Sequence, residues 1–212
     1  MVKLNRGKKQ RFKKLKFLLL LLMLIGLGVW FKSWNDPRNH PEKQAVKADR
    51  LINESNSEQK LKIKAGGYYD LLAIKADALV SGREFPIVGQ KTVGQFFKKN
   101  QEVTLSPNAE VEMVPSQFKK ISMVNNEIRL TDSGNYLIGK QFPAGDYELS
   151  LAGSVTERDS VQLILQTFSG KTKQELSLSS AKDKLPLMLS KNSFLRIKKG
   201  LNQELVVILK AK

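Results

Sequence analysis

Few residues in this chain can do chemistry. There is no cysteine, which excludes thiol nucleophiles, cysteine-based zinc sites, iron–sulfur clusters, disulfide frameworks and a lipidated cysteine. There is one histidine, His40. A Ser-His-Asp triad would therefore have one candidate base, and metal sites built on several histidines are excluded. His40 lies between Pro37 and Pro41 in a polar stretch, where it reads as a solvated residue. Glu110 and Glu112 alternate along one strand face and form the one candidate carboxylate pair. The same alternation is that of a solvated strand face. Asp132 and Asp146 sit near turns but lack calcium-loop spacing. No glycine motif for phosphate or dinucleotide binding is present, and Gly66, Gly67 and Gly82 read as turn glycines. We therefore assign no catalytic residue, no cofactor and no metal from the sequence, and expect a protein that is not an enzyme.

The remaining candidates are cations. Lys98, Lys99, Lys119, Lys120, Lys171, Lys173, Lys198 and Lys199 fall near predicted turns. They are candidate contacts for an anionic cell-wall polymer or another envelope polyanion, and equally read as solubilising surface lysines. The net charge of +16 would suit nucleic acid, but its distribution argues for another cause. Residues 1–16 hold eight basic residues and no acidic one, half of the whole excess.

That basic block precedes an apolar run over residues 17–31. The pattern predicts a transmembrane signal anchor over residues 17–34, with residues 1–16 as a cytoplasmic tail by the positive-inside rule. Phe17, Leu18, Leu19, Leu20, Leu21, Leu22, Met23, Leu24 and Ile25 would face lipid, and Trp30 and Trp34 would sit at the outer boundary. A cleaved signal peptide is the competing reading. The bulky residues Val29, Trp30, Phe31 and Trp34 disfavour cleavage. On either reading the C-terminal part is expected outside the cell. Residues 35–60 read as a stalk, with Pro37 and Pro41 breaking the helix and a short helix expected from Pro41 to about residue 53.

From residue 61 the grammar is that of strands and turns: short runs of Val, Ile, Leu, Tyr and Phe separated by Gly, Asn, Ser and Pro. Two hairpins are expected, one turning at Asn125 and Asn126, the other joining residues 194–197 to 203–207. The order of similar blocks repeats. Residues 65–71 resemble 144–149, residues 101–106 resemble 174–179, and Glu127 with Ile128 resembles Glu204 with Leu205. This predicts two copies of one β unit, 61–131 and 132–212. The fold class expected is mostly β: a transmembrane helix, a stalk, then two tandem β-sandwich-like units, with one joint sandwich as the alternative.

Residues 134–149 carry a further pattern through Tyr136, Gly139, Phe142, Pro143, Ala144, Gly145 and Tyr147. It resembles the Y-x-V-G-x-D-[IL]-P-A-G-x-Y repeat of poorly characterised Gram-positive cell-envelope proteins, with Ile138 for the usual Val and Gln141 for the usual Asp. The resemblance implies a β-rich extracytoplasmic module and no particular activity. Physically, Pro143, Ala144, Gly145 and Tyr147 read as a turn, because proline fixes φ and glycine accepts conformations other residues avoid. The functional expectation is a membrane-anchored module with a binding or scaffolding role at the cell envelope. The alternative is an accessory or regulatory subunit of a membrane or cell-wall complex. The expected partners are membrane lipid and an anionic cell-wall polymer or another envelope protein, with no nucleic acid.

Overall fold

A computed structural model describes residues 6–41, 47–154, 156, 160–200, 202 and 204–212; for residues 6–15, 32 and 33 it describes the backbone alone. The chain forms two compact units, Met1–Asn39 and His40–Lys212.

The first unit is a single helix, α1 (Arg6–Trp34), followed by a turn of 3-10 helix at Pro37–Asn39. The expected membrane span is corrected here. No helix among the described residues is long and apolar enough to cross a membrane. The uncharged stretch of α1 is short. The uncharged part of α1 covers residues 17–31, which at ~1.5 Å per residue reaches ~22 Å, against the ~30 Å of a hydrocarbon core. The signal anchor and the single-pass topology are therefore not supported, and the extracellular placement loses the support it drew from them. Phe17, Leu18, Leu19, Leu20, Leu21, Leu22, Met23, Leu24 and Ile25 are exposed along α1. Trp30 and Trp34 lie one turn apart with ring centroids 5.6 Å from each other.

Among the described residues the second unit is built of sixteen strands. The first eight are β1 (Asp49–Ile52), β2 (Gln59–Lys62), β3 (Gly67–Ala73), β4 (Ala78–Val80), β5 (Arg83–Phe85), β6 (Lys91–Phe97), β7 (Glu102–Leu105) and β8 (Glu110–Pro115). The second eight are β9 (Glu127–Leu130), β10 (Ser133–Leu137), β11 (Gly145–Ala152), β12 (Val161–Thr167), β13 (Thr172–Leu178), β14 (Leu185–Leu189), β15 (Ser193–Lys199) and β16 (Val206–Ala211).

These strands are two copies of one topology. The first eight pair in the orders β1-β8-β3-β6 and β2-β7-β4-β5. The second eight pair as β9-β16-β11-β14 and β10-β15-β12-β13, which is the same arrangement shifted by eight strands. All pairings within each copy are antiparallel. Each copy is therefore a jelly roll, two four-stranded sheets wound together. Each has its own core. Leu71, Phe85, Leu105, Val111 and Met113 are central to the first, and Ile128, Leu149, Leu163, Leu195 and Leu209 to the second. Each of these side chains contributes about 1.5–3 kcal/mol by leaving water.

The copies join through a single parallel contact between β6 and β10, at Thr92 with Ser133 and Val93 with Gly134. That contact makes one eight-stranded sheet from a sheet of each roll. Cross-strand partners share a face. Thr92 pairs with Leu71 of the first core, whereas Val93 belongs to the second core. The two rolls therefore pack on opposite faces of the shared sheet. Two glycines allow the close approach. Gly94 (φ +62°) and Gly134 (φ +125°) lie so near the facing backbone that a Cβ would meet Asn135 O at 2.2 Å and Val93 O at 2.1 Å respectively. Beside the junction Tyr68, Phe118 and Phe194 cluster with Leu137.

Several sequence expectations change. The stretch 35–60 read as a stalk contains β1 and the first two residues of β2. The rolls run from Asp49 to Pro115 and from Glu127 to Ala211, rather than over 61–131 and 132–212. The matched blocks 65–71 and 144–149 do fall at equivalent places, ahead of and along β3 and β11. The match of 101–106 with 174–179 does not, because it sets β7 beside β13, whereas β7 corresponds to β15. Asn125 (φ +51°) and Asn126 (φ +63°) make the expected tight turn, but only a single bridge, Val124 with Glu127, precedes it in place of a strand. The second expected hairpin does not form: β15 pairs with β10 and β12, and β16 with β11 and β9.

Candidate functional site

The residues read as a turn motif form a tyrosine corner. The Tyr147 hydroxyl donates to Pro143 O at 2.9 Å, pinning the chain where it enters β11, with Gly145 between them at a positive φ of +151° that favours glycine. The first roll has the same device at the equivalent place, where Tyr69 donates to Ala65 O at 2.8 Å. Pro143, Ala144, Gly145 and Tyr147 thus hold the fold. Burial raises the pKa of both tyrosines.

Two clefts lie where the rolls meet. The first, about 500 Å³, opens between the β4–β5 hairpin of the first roll and the shared sheet. Its hairpin turns through Ser81 (φ +48°) and Gly82 (φ +78°), with Val80 paired to Arg83. Two successive residues of positive φ are what a two-residue hairpin matching the strand twist needs. The turn delivers Arg83 into the cleft. From the other side β15 delivers Arg196, whose outward position follows from its neighbours Leu195 and Ile197 pointing into the second core.

These two guanidiniums are half-buried and share one cleft with no carboxylate bonded to either among the described residues. The Arg83 Nη2 donates to Gln95 Oε1 at 2.6 Å. Gln95, itself buried, is fixed by donating to Val93 O at 2.8 Å. The Arg196 guanidinium makes no hydrogen bond or ion pair among the described residues, while its backbone pairs with Asn135 and Ile164 in the sheet. Burial, and secondarily the Arg196 charge, push Arg83 down to about 10, and burial lowers Arg196. Both remain cations at neutral pH. Lys198 is exposed at the rim and Lys199 half-buried. Lys199 donates to Thr131 O; burial lowers its pKa and Asp132 opposes that. Glu84 is the single acidic residue lining this cleft. Nearby, Gln90 Oε1 is buried with no hydrogen-bond partner among the described residues.

The second cleft, about 460 Å³, lies on the other face of the junction. It also holds cations, Lys91, Lys119, Lys120 and Arg129, but carboxylates accompany them. Asp70 pairs with Lys91 at 3.2 Å and accepts from Gly94 N at 3.0 Å and from Ser116 Oγ at 2.5 Å. Burial raises the Asp132 carboxyl, while Lys91 and Lys199 pull it down and Asp70 adds to the rise. Tyr136 donates to Asp132 O at 2.8 Å, and its own pKa is raised by burial and by Asp132.

The sequence-predicted lysines are divided by the fold. Lys198 and Lys199 line the first cleft, Lys119 and Lys120 the second. Lys98, Lys99, Lys171 and Lys173 line neither and stand exposed. Glu110, from the candidate carboxylate pair, is occupied by Arg50 at 2.9 Å and Lys75 at 3.8 Å. His40 lines neither cleft. Among the described residues no group of three or more His, Asp or Glu is placed to hold a metal ion. Sequence reasoning missed Arg83 and Arg196. The available signal was an arginine alternating with apolar residues in β15, and a second directly after a Ser-Gly turn.

No family model, curated protein or solved structure matches the chain.

Proposed function

We propose that this protein is a binding module, and that the first cleft captures an anionic ligand between the two rolls. The observation that carries this reading is the pair of half-buried guanidiniums, Arg83 and Arg196, brought into one cleft from different rolls with no carboxylate bonded to either among the described residues. Partly desolvated like charges raise the energy of the empty cleft. An anion bonded to both removes that cost and gains charge-assisted hydrogen bonds, and Arg is the side chain best shaped for them. A ligand touching Arg83 and Arg196 also ties the rolls together across their narrow junction, which suits a scaffolding role.

The test is thermal unfolding of the full chain in phosphate, sulfate, acetate and chloride at equal ionic strength. A ligand at 100 times its dissociation constant stabilises by about 2.7 kcal/mol. We expect at least one anion to raise Tm well beyond chloride in the wild type and not in the Arg83→Gln/Arg196→Gln double variant. Equal responses to all four salts, or an undiminished response in the double variant, would remove the reading.

A further inference from the structure

The charge and donor inventory of the first cleft narrows the ligand class, on the premise that this cleft does bind an anion. Arg83 and Arg196 bring two positive charges with no carboxylate bonded to either among the described residues. Lys198 at the rim and Lys199, which donates to Thr131 O, add two more, and Glu84 supplies the one negative charge among the described lining residues. A carboxylate or a phosphodiester brings one negative charge and leaves one guanidinium uncompensated. A doubly charged tetrahedral oxyanion neutralises both.

The donors point the same way. Each guanidinium presents five N–H groups in a planar fork. Arg83 has one N–H bond, to Gln95, and Arg196 has none among the described residues. Thr92 lines the same wall. Two forks meeting from different sheets exceed what two carboxylate oxygens accept in one plane. They suit oxygens directed tetrahedrally, one edge of the anion to each arginine.

We infer that the first cleft is a site for a dianionic phosphate, either a phosphate monoester or free phosphate, held between the Arg83 and Arg196 guanidiniums.

The experiment is isothermal titration of the full chain at pH 7.5 and pH 5.0 with inorganic phosphate, glycerol phosphate, dimethyl phosphate, acetate and sulfate. The second ionisation of a phosphate monoester lies near pH 6, so it is a dianion at the higher pH and a monoanion at the lower. The charged groups lining the cleft are Arg83, Glu84, Arg196, Lys198 and Lys199, with Asp132 acting on Lys199. Sulfate is a dianion at both pH values and reports any titration of those groups.

We expect phosphate or glycerol phosphate to bind at least tenfold more tightly than dimethyl phosphate and acetate at pH 7.5. That binding should weaken at least tenfold at pH 5.0, while sulfate changes less than twofold. Arg83→Lys, which keeps the charge but loses the fork, should weaken phosphate binding at least fivefold. Glycerol phosphate binding as tightly as inorganic phosphate identifies the monoester as the source; its exclusion identifies free phosphate. Acetate or dimethyl phosphate binding as tightly as phosphate, with sensitivity to Arg196→Gln, overturns the dianion inference and leaves the anion-binding reading standing. Binding of none of the five overturns both.

Discussion

The two clefts flank one junction and are close to equal in volume, yet their charges are arranged differently. In the second cleft a carboxylate answers a cation: Asp70 takes Lys91, and Asp132 lies within the field of Lys91 and Lys199. In the first, Arg83 and Arg196 face a shared space and neither is bonded to a carboxylate among the described residues. A half-buried cation with its partner beside it is an element of structure. On the reading proposed above, two without such a partner offer their charge to an external anion. What separates the clefts on that reading is which side of the junction pairs its cations, since the backbone supplies a cleft on both.

The comparison depends first on the junction itself. Gly134→Ala would drive a Cβ to 2.1 Å from Val93 O at a φ unfavourable to alanine. We expect a loss of about 3 kcal/mol or more, a fall of roughly 6–12 °C in Tm for a domain of this size, and loss of anion binding because both walls move. Unchanged Tm would show that the rolls do not meet as described.

The next effect separates the clefts directly. Arg196→Gln should weaken anion binding at least tenfold and raise the Tm of the unliganded protein by about 2–4 °C, as ~1 kcal/mol of relieved repulsion would. Lys119→Gln with Lys120→Gln, in the second cleft, should leave anion affinity within twofold. Equal losses from both would erase the distinction.

A smaller effect compares the rolls. Tyr147→Phe and Tyr69→Phe each remove one corner hydrogen bond, and each should cost about 1 kcal/mol. A cost for one and none for the other, read by chemical denaturation, would show that the corners are not equivalent.

The smallest effect is electrostatic. Burial raises the Asp132 pKa in the folded state. Between the ordinary carboxylate value and that raised one the folded chain binds more protons than the unfolded, so stability falls as pH rises through this window. Asp132→Asn should flatten that slope and stabilise the protein at neutral pH by under about 1 kcal/mol. A steeper slope in the variant would reverse the sign given to Asp132.

What was legible in the sequence follows from what is local. The tight turn at Asn125 and Asn126 and the corner at Pro143, Ala144, Gly145 and Tyr147 depend on a few neighbouring residues. The duplicated β architecture was legible because both copies keep strand-and-turn grammar. The register of the repeat was not. β4 and β5 have three residues each, too short for an alternating pattern, and β1 has only Leu51 and Ile52 as apolar residues, so it passed for a stalk. The apolar run at 17–31 is clear in hydrophobicity, yet no helix among the described residues is long and apolar enough to cross a membrane. Arg83 and Arg196 meet only through pairings that join the two rolls. No short-range pattern links a residue in β5 to one in β15.

The most direct measurement is an amide chemical-shift map of the full chain titrated with phosphate at neutral pH. The account predicts saturable shifts at residues 81–84, Thr92, Ser133, Gly134 and 196–200, with Asp70, 119–121 and Arg129 unmoved. Shifts centred on the second cleft, or small unsaturated shifts at every exposed lysine alike, would contradict it.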